Sequence, residues 1–93
     1  MEITVALPGA LQPYAAGSPE VTLQARGGTV GDALGALAGR YPGVVDRVVD
    51  ERGTVRRHVN VFVDGDDIRF LAGLDTPVRE GSTIVIFPAV SGG

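Results

Sequence analysis

Ninety-three residues, 44% of them hydrophobic and with a formal charge of −3, describe one small globular domain and exclude a disordered chain. The acidic balance excludes a non-specific binder of nucleic acid or anionic membrane, and no apolar run approaches the length of a membrane span. Cysteine is absent, which excludes disulfides, thiol nucleophiles and thiolate metal sites. The chain opens Met1-Glu2-Ile3-Thr4 straight into a strand pattern, so a secretory leader is not expected and a cytoplasmic protein is. Every basic residue is arginine, so the chain offers no side-chain amine for isopeptide bonds to itself.

Ile3, Val5 and Leu7 alternate with Thr4 and Ala6, which predicts a half-buried strand ended by Pro8-Gly9. Residues 8–19 hold three prolines and two glycines and read as a loop. Val21, Leu23 and Ala25 alternate in the same way and predict a second strand, antiparallel to the first. Thr29 is a good N-cap, with Asp32 at the third helical position, where its carboxylate suits the helix dipole. Val30, Ala33, Leu34, Leu37, Ala38 and Tyr41 then form one apolar stripe at helical spacing, and Pro42-Gly43 is expected to end it. Gly31, Gly35 and Gly39 lie four apart along this helix, and Gly35 is the one expected to allow close packing.

Val44, Val45, Val48 and Val49 suggest a short helical turn, followed by a polar turn over Asp50-Glu51-Arg52-Gly53. Val59, Val61 and Val63 predict a third strand. Asp64-Gly65 is a hairpin signal returning through a short strand, Ile68 to Phe70. Leu71 to Pro77 reads as an irregular crossing, and 82–87 as the last strand. The order is strand, strand, helix, strand, short strand, strand: an α+β chain in which one helix covers one face of a mixed sheet of four to five strands.

Little catalytic chemistry is available. Gly27-Gly28-Thr29-Val30-Gly31 sits where phosphate loops sit but lacks the Gly-Lys-Ser/Thr ending, and reads as a tight strand-to-helix turn. Asp64, Asp66 and Asp67 are acidic neighbours at a hairpin, where Asp serves the backbone, so no metal site is expected. His58 is the only histidine, which leaves Ser18, Ser82 and Ser91 without a triad and zinc without ligands.

The chain's last residues are Phe87-Pro88-Ala89-Val90-Ser91-Gly92-Gly93. Residues 1–88 are expected to form the domain and 89–93 a flexible tail ending in Gly-Gly, able to reach about 17 Å when extended. A frayed end is the plain alternative. If Val59, Val61, Val63, Ile84 and Ile86 face the core, period two turns Phe62, Val85 and Phe87 to the other face. That apolar patch beside the tail either docks a partner that acts on the tail or is covered by pairing of its own phenylalanines.

These residues resemble the ubiquitin-like sulfur carriers of the MoaD/ThiS family over the whole chain. Tyr41-Pro42-Gly43, Arg57 to Gly65, Asp67-Ile68-Arg69-Phe70 and Phe87 to Gly93 carry the resemblance, and the ending is most similar to the CysO-type carriers of cysteine biosynthesis. The resemblance implies the β-grasp fold and a protein co-substrate rather than an enzyme. It implies that an E1-like activating enzyme of the MoeB/ThiF type, using ATP, adenylates the Gly93 carboxylate and converts it to a thiocarboxylate. Gly92 keeps the approach narrow. Phe87 and Leu7 are implied as docking contacts, with Phe62 and Val85 added from strand periodicity and Pro88, Ala89, Val90 and Ser91 as the segment a partner would grip. No cofactor or metal is expected on this chain. The implied acceptor is a pyridoxal-phosphate-dependent cysteine synthase, with a zinc peptidase releasing the product. Molybdopterin synthesis, a thiosugar synthase or a protein-modifier role are the alternatives.

Overall fold

The structure, a computed structural model, describes residues 1–88. The expected tail, Ala89 to Gly93, lies outside the described residues. Strand β1 is Glu2–Ala6 and β2 is Glu20–Gln24, paired antiparallel with Ile3 opposite Leu23. Their buried residues alternate as the sequence predicts, because period two sends every second side chain to the core. The connection is not all loop: Gln12–Ala15 forms a 3-10 turn with Pro13 in its first positions.

Helix α1 is Val30–Arg40. Thr29 and Asp32 form a complete capping box: the Asp32 N–H donates to Thr29 Oγ1 at 3.1 Å and the Thr29 N–H donates to Asp32 Oδ2 at 3.1 Å. Val30, Ala33, Leu34 and Leu37 are buried against the sheet. Pro42-Gly43 does not simply stop the helix. Pro42 opens a second helix, α2, Pro42–Asp46, where its fixed φ suits the first helical position and its missing N–H costs nothing.

The glycines of α1 are a correction. A Cβ at Gly31 would stand 3.2 Å from the Leu74 carbonyl oxygen, whereas one at Gly35 or Gly39 would meet nothing within 4 Å. Gly31, not Gly35, is the position in α1 where a side chain would press on a neighbour, the Leu74 carbonyl.

Strand β3 is Val59–Val63, β4 is Asp66–Asp67 and β5 is Thr83–Pro88. The predicted strand at Ile68–Phe70 is a 3-10 turn instead. The Asp67 carboxylate accepts the Arg69 N–H at 2.9 Å and turns the backbone away from the ladder. The crossing 71–77 contains another 3-10 turn, Gly73–Asp75, and is tied to the start of α1 by the Val30 N–H on the Thr76 carbonyl at 2.9 Å.

Among the described residues the five strands form one sheet in the order β2-β1-β5-β3-β4. The central pair, β1 and β5, is parallel; the other pairings are antiparallel. With α1 on one face, this is the β-grasp architecture. The core lies between α1 and the inward residues Ile3, Val5, Val61, Ile84 and Ile86.

Candidate functional site

Strand β5 sets the geometry at the end of the described chain. Its pairing with β3 runs from Val63 opposite Ile84 to Val59 opposite Pro88, so the backbone is held as strand up to Pro88. Its pairing with β1 covers only Thr83 to Val85. The Asp64 N–H donates to the Thr83 carbonyl, so the bonded pairs of the β3–β5 ladder alternate from there and Pro88 falls where no N–H is needed. Proline can therefore occupy this strand without breaking it.

On the face away from α1, Val85 lies between Phe62 of β3 and Ala6 of β1. Phe87 lies opposite Asn60, diagonal to Phe62, and the two rings stack with centroids 5.1 Å apart. Of the outcomes weighed for this patch, the pairing of its phenylalanines is seen, and it leaves the face partly open. The phenylalanines cover each other, yet Phe87 keeps 36% of its surface exposed while Phe62 and Val85 are half-buried. Pro88 is exposed beside them. The Arg69 guanidinium closes one rim, donating to Asn60 Oδ1 at 3.0 Å and to the carbonyls of Arg57 and Val59.

Leu7 requires correction. It is only 6% exposed and belongs to the core. Period two puts it on the same face as Ile3 and Val5, and its N–H is engaged by the Pro19 carbonyl at 2.8 Å. It offers a partner almost no surface. Ala89, Val90, Ser91, Gly92 and Gly93 fall outside the described residues.

Two features escaped sequence reasoning. Phe70 is 86% exposed and Leu71 half exposed, the barest large apolar pair among the described residues. Alternation could not find them, because they sit where the chain leaves the strand for a 3-10 turn. The other is a small, mostly apolar cavity of about 150 Å³ beside the last described residues of β5, lined by Pro8, Leu11, Ile86, Phe87 and Pro88 together with Arg47 and His58. Arg47 stacks on Tyr14 at 3.6 Å.

The acidic hairpin is occupied by its own backbone. Asp64, at φ 49°, accepts the Thr83 N–H at 2.9 Å and the Ser82 hydroxyl at 2.8 Å. These two bonds hold its carboxyl below the ordinary aspartate pKa. Asp50 is lowered likewise, first by the Thr54 N–H. Among the described residues no group of three His, Asp or Glu side chains is placed to hold a metal ion. Nor is any helix among them long and apolar enough to cross a membrane.

Comparison with known proteins identifies what this sheet and its last strand belong to. The model of the ThiS family matches residues 5–93. The chain belongs to the ThiS family. It is 37% identical to the sulfur carrier protein CysO of Mycobacterium tuberculosis over 95 aligned residues, covering 100% of both chains. The crystal structure of that protein superposes with a TM-score of 0.86, at 36% identity over 95% of this chain and 99% of that one. A CysO structure from Amycolatopsis orientalis, solved in complex with BexX, gives a TM-score of 0.85 at 36% identity, covering 98% and 99% of the two chains. Small archaeal modifier protein 1 of Haloferax volcanii is 39% identical over 84% of this chain and 86% of its own. These ThiS-family relatives are small carrier and modifier proteins, not enzymes, and this chain is a protein of their kind.

Proposed function

We propose that the chain is a sulfur carrier whose Gly93 carboxylate is the reacting group. The observation that carries this reading is the full-length similarity to sulfur carrier protein CysO, which spans 100% of both chains. The carboxylate oxygen attacks the α-phosphorus of ATP held by a separate activating enzyme of the MoeB/ThiF type, and pyrophosphate leaves. The acyl-adenylate carbon is then attacked by a sulfur donor, the C–O bond to AMP breaks, and Gly93 ends as a thiocarboxylate. A glycine pair suits this, because Gly92 and Gly93 have no side chains to hinder passage into a narrow active site.

In this reading the chain contributes the handle. Phe87, Phe62 and Val85 give an apolar docking face, and the strand held through Pro88 fixes where the last five residues begin. ATP belongs to the activating enzyme, and the chain binds no cofactor of its own. The thiocarboxylate passes its sulfur to cysteine biosynthesis in the cytoplasm, on a pyridoxal-phosphate-dependent synthase, with a zinc peptidase releasing the product.

A second reading is a protein modifier joined through Gly93 to amines of target proteins. The similarity to small archaeal modifier protein 1 favours it. The test is intact-mass analysis after incubation with the cognate activating enzyme, ATP and sulfide. A gain of one oxygen-to-sulfur exchange located at Gly93 is expected. Absence of that gain, with isopeptide adducts accumulating in cells, would favour the modifier.

A further inference from the structure

The two edges of the sheet are finished differently. On the β4 side the bare half of β3 is closed by Arg69, whose guanidinium takes the carbonyls of Arg57 and Val59. On the β2 side the edge is open. Met1 and Ala25 exchange both backbone bonds, and the Leu7 N–H reaches the Pro19 carbonyl. Alternation from these points aims the backbone groups of Leu23 and Val21 at β1 and those of Glu20, Thr22 and Gln24 outward. The Thr22 carbonyl bears this out, since it accepts from Arg40 Nη1 at 3.0 Å, across the gap to α1. The outward N–H groups of Thr22 and Gln24 and the Gln24 carbonyl have no partner among the described residues. Strand β2 itself contains neither proline nor lysine, two common means of blunting an edge.

Beside this edge runs a groove of about 600 Å³ between β2 and α1. Thr22 and Gln24 form one wall, Ala36 and Gly39 the other. A Cβ at Gly39 would meet nothing within 4 Å, so the groove has room there for a side chain from outside. Its net charge is positive. Arg26 and Arg40 line it, and its one carboxylate, Asp32, keeps its charge but is turned to the Thr29 N–H and hydroxyl, so the lining carries two positive charges against one negative. In a chain of net charge −3 this is a local cationic site.

We infer that β2 and this groove receive an extended, acidic segment of a partner protein, which adds to the sheet as a sixth strand. The segment's N–H replaces Arg40 at the Thr22 carbonyl, and its own carbonyls accept from the Thr22 and Gln24 N–H groups. Every second side chain enters the groove over Ala36 and Gly39, and its carboxylates meet Arg40 and Arg26, away from Glu20 at the far end of β2. This surface is distinct from the Phe62–Phe87 face, so the two can be occupied at once. It does not depend on the sulfur-carrier reading.

The test is an NMR titration of the full-length 15N-labelled protein with an acetylated, amidated hexapeptide of alternating aspartate and valine. Saturating shifts are expected at the Thr22 and Gln24 amides and at Arg40 Nε. Gly39→Leu fills the groove in open space and leaves the fold intact, and it is expected to weaken binding by about tenfold or more, as is Arg40→Glu. N-methylation of alternate peptide nitrogens is expected to abolish binding. Shifts confined to the Phe62–Phe87 face, unchanged affinity in Gly39→Leu, equal binding of a lysine–valine peptide, or no saturable binding would each overturn the inference. So would concentration-dependent pairing of β2 with a second copy that excludes the peptide.

Discussion

Phe62 and Phe87 stack across neighbouring strands, with ring centroids 5.1 Å apart and planes inclined at 28°. They are diagonal neighbours in the ladder, since Phe62 faces Val85 and Phe87 faces Asn60. The pair both shields the open face of the sheet and presents it. Stacked aromatic pairs contribute about 0.5–1.5 kcal/mol beyond their burial. A double-mutant cycle of Phe62→Ala and Phe87→Ala, read by urea unfolding, is expected to give a coupling energy in that range. Additive losses would mean that the rings are neighbours without mutual support. Phe87→Asp is expected to keep the fold and weaken binding of the activating enzyme, because the ring is already partly in water.

Leu7 behaves oppositely. It is buried in the core, so Leu7→Ala removes packed methyl groups and is expected to cost about 2–5 kcal/mol. A thermal melt reads this directly. A variant with wild-type stability and impaired partner binding would restore Leu7 to the docking face.

Asp64 links the hairpin to the start of β5 through the Thr83 N–H and Ser82 hydroxyl. These bonds lower its pKa in the folded state below the ordinary 3.8. A depressed carboxyl pKa contributes stability that is complete above the unfolded value and is lost as pH falls through the folded one. Unfolding free energy is therefore expected to decline as pH drops below about 4, and less steeply in Asp64→Asn. An identical acid limb in the two proteins would show that Asp64 carries none of it.

Two glycines of α1 separate helix propensity from packing. Gly35→Ala is expected to stabilise the protein by about 0.5–1 kcal/mol, because alanine loses less backbone entropy in a helix and the new methyl meets nothing. Gly31→Ala gains the same propensity but presses a methyl against the Leu74 carbonyl at 3.2 Å. Its Tm is expected to fall below that of Gly35→Ala. Equal Tm values would mean that the Leu74 loop yields freely.

Local chemistry made much of this protein readable before any fold was known. Alternation in 2–7, 21–25 and 59–63 placed three strands and their inward faces, because a pleated backbone leaves a side chain no other choice. Thr29 and Asp32 announced the helix start, because a capping box is closed within four residues. The outward direction of Phe62, Val85 and Phe87 came from the same alternation. The docking role attached to Leu7 came from resemblance instead, against the residue's own period, and the period was the better guide.

What the sequence left open was set by contacts between residues far apart along the chain. Nothing near Ile68 says that the Arg69 guanidinium will reach back ten residues to the Val59 carbonyl. Nothing near Gly31 says that Leu74 will press on it. The parallel pairing of β1 with β5 joins residues nearly eighty positions apart, and it is this pairing that leaves β2 at the edge. Period and capping act within a few residues, so the amino-acid order settles them alone. Strand order, edge exposure and the room beside a helix depend on which surfaces meet, and only the folded chain brings them together.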